Sequence, residues 1–342
     1  MGAALDLQCL SFGTTRGARF MTAANNLIIR NRAMSVLGYR DIETARRELC
    51  EVTGTVTFLA GAGSRWVKSV EEAQLRGLAL DIDPGKPRCM APVMDLLDPQ
   101  NKIPIGTYNL RAMEGLGKHY IVYSSDLPEL QAIARTSLSS GTVFLEQSWR
   151  GFDSPLGHGD AMMQLLDSSS WDPSLKFVIT NFGGDVNSRE TIFTSLLVLA
   201  ALQKLGEDVH PWGLLPTVFL NDAAYPVILN DEGFPVGFGH NKLTTDTTSR
   251  AAQCNIGVRL YTTESLRSVV DEFQTMFDAS AGYKIPGNKG NEFALDNVDM
   301  HLADNRRLRT LNIATPHEIG SSAKTYEDLD RFLAAMKMML GI

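Results

Sequence analysis

The stretch Thr55-Val56-Thr57-Phe58-Leu59-Ala60-Gly61-Ala62-Gly63-Ser64-Arg65 decides the fold. Its first six residues are β-branched, aromatic or small and apolar, with no polar alternation, which reads as a strand buried on both faces. The strand runs straight into glycines. A glycine turn at a strand end lets the backbone approach an anion, and its N–H groups with a following cation can cradle a triphosphate. A bare strand-end turn with no ligand has the same wording. The segment is not a GxGxxG fingerprint, because Trp66 stands where the third glycine would fall, and no GxxxxGK[ST] loop occurs.

Reading outward, further strand patterns fall at 119–124, 143–147, 177–181, 217–219, 225–229 and 257–261. Helical periodicity separates most of them, at 105–116, 126–137, 159–166, 190–205 and 264–277. Alternating strands and helices predict a three-layer α/β/α architecture with a mixed, mainly parallel sheet. Upstream, 21–37 and 41–52 read as two helices bearing Arg30, Arg32, Arg46 and Arg47, with Arg40 in the Gly38-Tyr39-Arg40 turn between them. They are expected to be an N-terminal helical extension (1–53), packed on the main domain (54–342) or on a second copy, rather than a nucleic-acid contact. A Thr325-x-x-Asp328 start signal opens a terminal helix over 326–340.

Composition narrows the function. Of 342 residues, 32 are Lys or Arg and 39 Asp or Glu, a net charge of −7, so no basic coat for nucleic acid exists. Cys9, Cys50, Cys89 and Cys254 form no CxxC pair, which argues against a disulfide scaffold and a structural zinc site and for a reducing cytoplasm. The longest apolar run, 196–202, is too short to span a bilayer, and the N-terminus has no signal-peptide core. The histidines make no HExxH pair, and no GxSxG elbow occurs.

Three other segments carry chemistry. Lys86 and Arg88, two apart before a Pro-bounded stretch, are cations able to orient a phosphoryl group, although such pairs are commoner in solvated loops. Gln147 followed by Leu156-Gly157-His158-Gly159-Asp160-Ala161 offers an amide and exposed backbone to a flat base edge. Phe177-Val178-Ile179-Thr180-Asn181-Phe182-Gly183-Gly184-Asp185 is an apolar strand ending in a carboxylate, where a parallel sheet places its ligand chemistry.

In this order the segments resemble the sugar nucleotidyltransferases (nucleoside-diphosphate-sugar pyrophosphorylases), in wording nearest the UDP-sugar enzymes. Leu59 to Arg65 approximates L-A-x-G-x-G-[TS]-R, and 87–93 approximates P-K-x-L-x-P-V. Gln147…Leu156-Gly157-His158-Gly159-Asp160-Ala161 resembles the base-reading Q…L-G-T-G-H-A, and Gly184-Asp185 matches the metal-holding G-D. Downstream, 226–238 is similar to the family's hairpin before E-K-P, Asn255-Ile256-Gly257-Val258 to N-[AT]-G-[IV], and 293–298 to E-[IL]-T-D-[VA]. The resemblance spans roughly residues 54–335 and implies a Rossmann-like, GT-A-like fold with the sugar half near 220–320.

By the same resemblance, Ala60, Gly61, Ala62, Gly63, Ser64, Gln147, Gly157, His158 and Gly159 bind the nucleotide. Arg65, Lys86, Arg88 and Lys242 supply catalytic cations, Gly184, Asn255 and Gly257 meet the sugar, and Asp185 with Asp296 holds Mg2+. Two departures stand out: Arg88 replaces the family's lysine, and His240-Asn241-Lys242 replaces E-K-P. The implied reaction takes an NTP (UTP first, dTTP next) and a sugar 1-phosphate to an NDP-sugar and pyrophosphate. The alternatives are a GT-A-type glycosyltransferase, for which Asp81-Ile82-Asp83 supplies the letters of a metal motif, and an inactive regulatory homologue.

Overall fold

The computed structural model describes residues 23–59, 64–78, 82–83, 86, 88–123, 141–205, 211–220, 226–231, 233–238, 252–286, 290–314 and 325–340. The chain is an α/β protein built on one mixed, mostly parallel sheet of eight strands. Helices α1 (Ala23–Leu37) and α2 (Ile42–Glu51) lead into β1 (Thr53–Phe58), followed by α3 (Ser64–Leu75), the β2–β3 hairpin (Pro92–Asp95, Asp98–Pro104) and α4 (Ile105–Met113). Next come β4 (Lys118–Tyr123), β5 (Val143–Glu146), α5 (His158–Asp167), β6 (Phe177–Phe182), α6 (Arg189–Lys204) and β7 (Gly213–Leu220). The last third contains β8 (Val227–Leu229), β9 (Pro235–Phe238), β10 (Ala252–Asn255), β11 (Arg259–Thr262) and α7 (Thr263–Gln274). It closes with β12 (Phe277–Asp278), β13 (Gly282–Tyr283), α8 (Leu295–Asp304), β14 (Leu308–Asn312) and α9 (Leu329–Leu340).

From one edge the sheet runs β5, β4, β1, β6, β11, β7, β14. β1 is parallel to β4 and β6, β4 to β5, and β14 to β7. β11 runs against its neighbours β6 and β7, and β10 runs against β7. β10 pairs with the same edge of β7 as β11, so Ile256-Gly257-Val258 is an interruption in one long antiparallel track.

Pleating sends successive residues to opposite faces. Ile179, Leu214 and Leu260 join a core with Ile29, Ala33, Leu49 and the α6 residues Ile192 to Leu202. Their neighbours Val178, Leu215 and Tyr261 join a core with α5, α7 and α8. Helix α6 is buried along nearly its whole length, which an amphipathic surface helix never is. The cause is the N-terminal pair. α1 and α2 cover the outward face of α6, and Arg30 and Arg46 both bind Glu190 at its start (3.2 and 2.6 Å). The apolar run at 196–202 is therefore interior. Among the described residues no helix is long and apolar enough to cross a membrane.

Several expected elements sit within a few residues of their predicted bounds. Others were not expected: α3, α8, β14 and the β2–β3 and β12–β13 hairpins. The predicted helix at 126–137 lies outside the described residues.

Candidate functional site

Chain order places the site. From β1 the chain moves to β4 and β5 on one side, then returns to β6 on the other, so the strand order switches at the carboxyl ends of β1 and β6, where an open α/β sheet places its ligand crevice. Those ends are Phe58 and Phe182. Backbone bonds sew the Gly183-Gly184-Asp185 turn across them, Gly183 N–H to Phe58 O and Asp185 N–H to Phe182 O, both 2.9 Å. Asn109, fully buried in α4, donates its amide to the carbonyl oxygens of Phe182 (2.8 Å) and Asp185. Asn109 fixes the turn although no motif marked it. Its only sequence signal is a polar residue inside an otherwise enclosed helix.

Arg88 lies directly over Gly184. A Cβ there would stand 2.1 Å from the arginine Nε, so this position accepts glycine alone while Arg88 stays. The guanidinium donates to Asp185 Oδ1 at 3.0 Å in a pair with side chains 19% and 14% exposed. On the other flank Gly257 adopts φ +89°, and its missing Cβ would stand 2.8 Å from Asp185 Oδ2. Asn255 Oδ1 accepts the Gly257 N–H at 2.9 Å and holds that conformation. Arg88, Gly184-Asp185 and Asn255-x-Gly257 thus meet around one carboxylate, although they are separated by up to 170 residues of chain.

Two residues beyond Gly257, Arg259 spans two carboxylates. Its Nε donates to Asp299 Oδ2 (2.6 Å) and its Nη2 to Asp296 Oδ1, while its guanidinium lies 5.3 Å from the Phe182 ring centre. Tyr261 O–H donates to Asp299 Oδ1 at 2.6 Å. Burial drives the Tyr261 phenol well above its usual pKa. The two α8 aspartates differ in access: Asp299 is sealed at 1%, whereas Asp296 in the first turn is 43% exposed. Asp296 lines a cavity of about 390 Å³ with Phe238, Asn291, Glu292, Asn297 and Met300. Asp185 and Asp296 therefore sit at one end of the sheet, linked through Gly257 and Arg259.

Three of the expected nucleotide-site residues also carry packing contacts of their own. Gly157 (φ +93°) would place a Cβ 2.5 Å from Phe293 O, and Gly159 would place one 2.8 Å from the Phe293 ring. These glycines are demanded by packing against Phe293, whose carbonyl also accepts the Gly159 N–H (2.8 Å). His158 Nδ1 accepts the Leu295 N–H at 2.8 Å, capping α8, and its ring contacts Phe182 and Phe58. Desolvation lowers its pKa to about 4, so it is neutral at pH 7. It joins α5 to α8.

Gln147 is buried just past the end of β5, its backbone N–H on Tyr123 O at 2.9 Å. Its Nε2 donates to Gly157 O (3.1 Å) and faces Asp160 Oδ2 (3.4 Å).

Lys86 stands in a bend, its backbone N–H on Asp83 O at 3.1 Å. Ser64 and Arg65 open α3, which directs a helix N-terminus from the glycine loop; their side chains lie outside the described residues. Ala60, Gly61, Ala62, Gly63, Asp81, His240 and Lys242 also lie outside them. Sequence reasoning overlooked Asn109, Arg259, Asp299 and Tyr261, all of which act by tertiary contact. No protein-family model matches the chain, and no curated protein matches it.

Proposed function

We propose that the protein transfers a nucleotidyl group from an NTP, UTP by preference, to a sugar 1-phosphate, releasing pyrophosphate. The observation that carries this reading is the junction at the β1/β6 crevice, where Arg88, Gly184, Asp185, Asn255 and Gly257 converge. The mixed, mainly parallel sheet with helices packed on residues of both faces supports a three-layer nucleotidyltransferase (GT-A-like) fold as part of the same proposal.

The chemistry asks little of the protein beyond placement. A sugar phosphate oxygen attacks the α-phosphorus in line, and because the nucleophile is already an anion no general base is required. Two polyanions must be held together while charge builds on the phosphorus. Arg88 at the crevice floor, with Arg65, Lys86 and Lys242 as further cations, would serve that end. The donor chemistry of Asp185 and Asp296 fits Mg2+, which takes one or two carboxylates plus phosphate oxygens. Each carboxylate now holds an arginine, so Arg88 and Arg259 would turn from carboxylate to phosphate as substrate enters. A bound Mg2+ would neutralise phosphate oxygens.

One observation favours the inactive regulatory homologue as a second reading. The Arg88–Asp185 pair neutralises the candidate cation with the candidate metal ligand. Incubating the full chain with each NTP and a panel of sugar 1-phosphates, and following pyrophosphate, separates the readings. Turnover with UTP supports transfer, nucleotide binding without turnover supports the regulatory homologue, and no response to any NTP overturns both.

A further inference from the structure

Asp160 has a side chain with no solvent exposure, and its two oxygens are used differently. Oδ1 accepts from Tyr283 O–H (2.8 Å) and is ion-paired with Arg150, whose Nε lies 3.0 Å away. Oδ2 accepts from Gln164 Nε2 (2.6 Å) and faces Gln147 Nε2 (3.4 Å). The arrangement is held at a cost in backbone strain. Arg150 adopts φ +54°, a left-handed conformation unusual for a non-glycine residue, with its guanidinium 4.8 Å from the Phe277 ring centre.

The consequence falls on Gln147. Its NH2 end is committed to two acceptors, the Gly157 carbonyl and the Asp160 carboxylate. Turning the amide over would set Oε1 against those same two acceptors and lose both hydrogen bonds. In this residue, 3% exposed, Oε1 accepts no hydrogen bond from the described residues. Gln147 can therefore offer a ligand an acceptor and nothing else.

We propose that Asp160 is a positioning residue that fixes the polarity of the Gln147 amide, so that the site takes bases presenting a ring N–H and refuses those presenting a ring lone pair. Uracil, thymine and guanine carry that N–H, whereas cytosine and adenine place a nitrogen lone pair there and would meet the Oε1 lone pairs. This rests on the nucleotidyl-transfer reading and on Gln147 facing the base.

The test is calorimetric titration of the full chain with UTP, CTP and 3-methyluridine 5′-triphosphate, followed by the same titrations on Asp160→Asn and Tyr283→Phe. The wild type should bind UTP at least about a hundredfold more tightly than CTP, since a buried acceptor left facing a lone pair discriminates strongly. The 3-methyl analogue, which lacks the N–H, should fall to the CTP level. An asparagine at 160 can donate as well as accept, so only the Gly157 carbonyl still opposes a turned Gln147 amide and the turned state becomes populated. The UTP/CTP ratio should then narrow to within about tenfold, mainly through tighter CTP binding. Tyr283→Phe removes only an Oδ1 donor and should keep the ratio.

Asp160→Asn that weakens both nucleotides with the ratio intact makes Asp160 merely structural and overturns the proposal. Where that variant does not fold, the methylated analogue decides, and binding equal to UTP overturns it. A wild type preferring CTP or ATP overturns the acceptor assignment while nucleotidyl transfer stands. A wild type that binds no nucleotide overturns both readings.

Discussion

Replacing Gly257 with alanine tests the floor of the site. The substitution forces a Cβ onto a residue at φ +89°, which costs an L-residue about 1–2 kcal/mol. That Cβ would lie 2.8 Å from Asp185 Oδ2, some 0.6 Å inside the 3.4 Å at which ordinary contact begins. A carboxylate shift of that size along its bond to Arg88 stretches a 3.0 Å hydrogen bond past useful length. Losing a charge-assisted bond adds about 1.5–3 kcal/mol, so Gly257→Ala should destabilise the protein by about 2.5–5 kcal/mol in all. Urea unfolding measures it, with Gly237→Ala as the control. At Gly237 the nearest heavy atom to a Cβ is 3.5 Å away, and the change should stay within about 1 kcal/mol. In the pyrophosphate assay Gly257→Ala should lose one to two powers of ten, the penalty for sub-ångström misplacement of a reacting constellation. Unfolding curves for Gly257→Ala that overlay those of the wild type would refute the contact reasoning, whatever the activity.

Three further expectations follow from the same contacts. Asp185→Asn keeps an oxygen to accept from Arg88 but loses the charge, so it should leave the protein folded, somewhat destabilised, and cut pyrophosphate release by a few powers of ten, as loss of a transition-state electrostatic element does; retained turnover would remove Asp185 from the site. Ile29→Ala, at a position 2% exposed between α1 and α6, should cost about 2–4 kcal/mol in urea unfolding, whereas a loosely attached extension would show almost no change. Burial lowers the pKa of His119 and His158 from 6.5 to about 4, so the unfolded chain binds more protons and stability falls as pH drops from about 6.5 toward 4. Asp95 and Asp278, with carboxyl pKa values held below 3.8 by hydrogen bonds from Arg111 and Lys284 respectively, lose their contribution only at lower pH. The buried Asp299 carboxyl, raised by desolvation, acts in the opposite sense, so the histidine share is read by mutation: His119→Leu should flatten the slope between pH 5 and 6.5 by up to one proton, about 1.4 kcal/mol per pH unit.

Much of the frame was legible in the sequence because it is written locally. Strand β1 announces itself by six buried residues in a row before glycines, and β6 by the apolar run ending in Gly-Gly-Asp. Helices α5, α6 and α7 carry their own periodicity, and the Thr325–Asp328 bond (2.9 Å) was foreseeable from a three-residue spacing. Element type and chain order then fix an alternating α/β protein with its carboxylate at a strand end.

Partnership is another matter, because it depends on residues brought together from distant parts of the chain. Nothing near Gly257 says that Asp185 will fill its side-chain space, and nothing near Gly157 says that Phe293 will. Gln147 shows an amide in sequence but not its polarity, which Gly157 and Asp160 impose by offering two acceptors to one end. His158 reads as a ligand-facing histidine until Leu295 N–H reaches its ring nitrogen. Arg259 was passed over as one cation in a strand, yet in the fold it joins two aspartates one turn apart on α8. Sequence determined which groups the protein has and on which elements they ride. Tertiary packing decided which of them are already spent on each other, because a hydrogen bond or a steric exclusion is settled by the neighbour across the crevice and not by the neighbour along the chain.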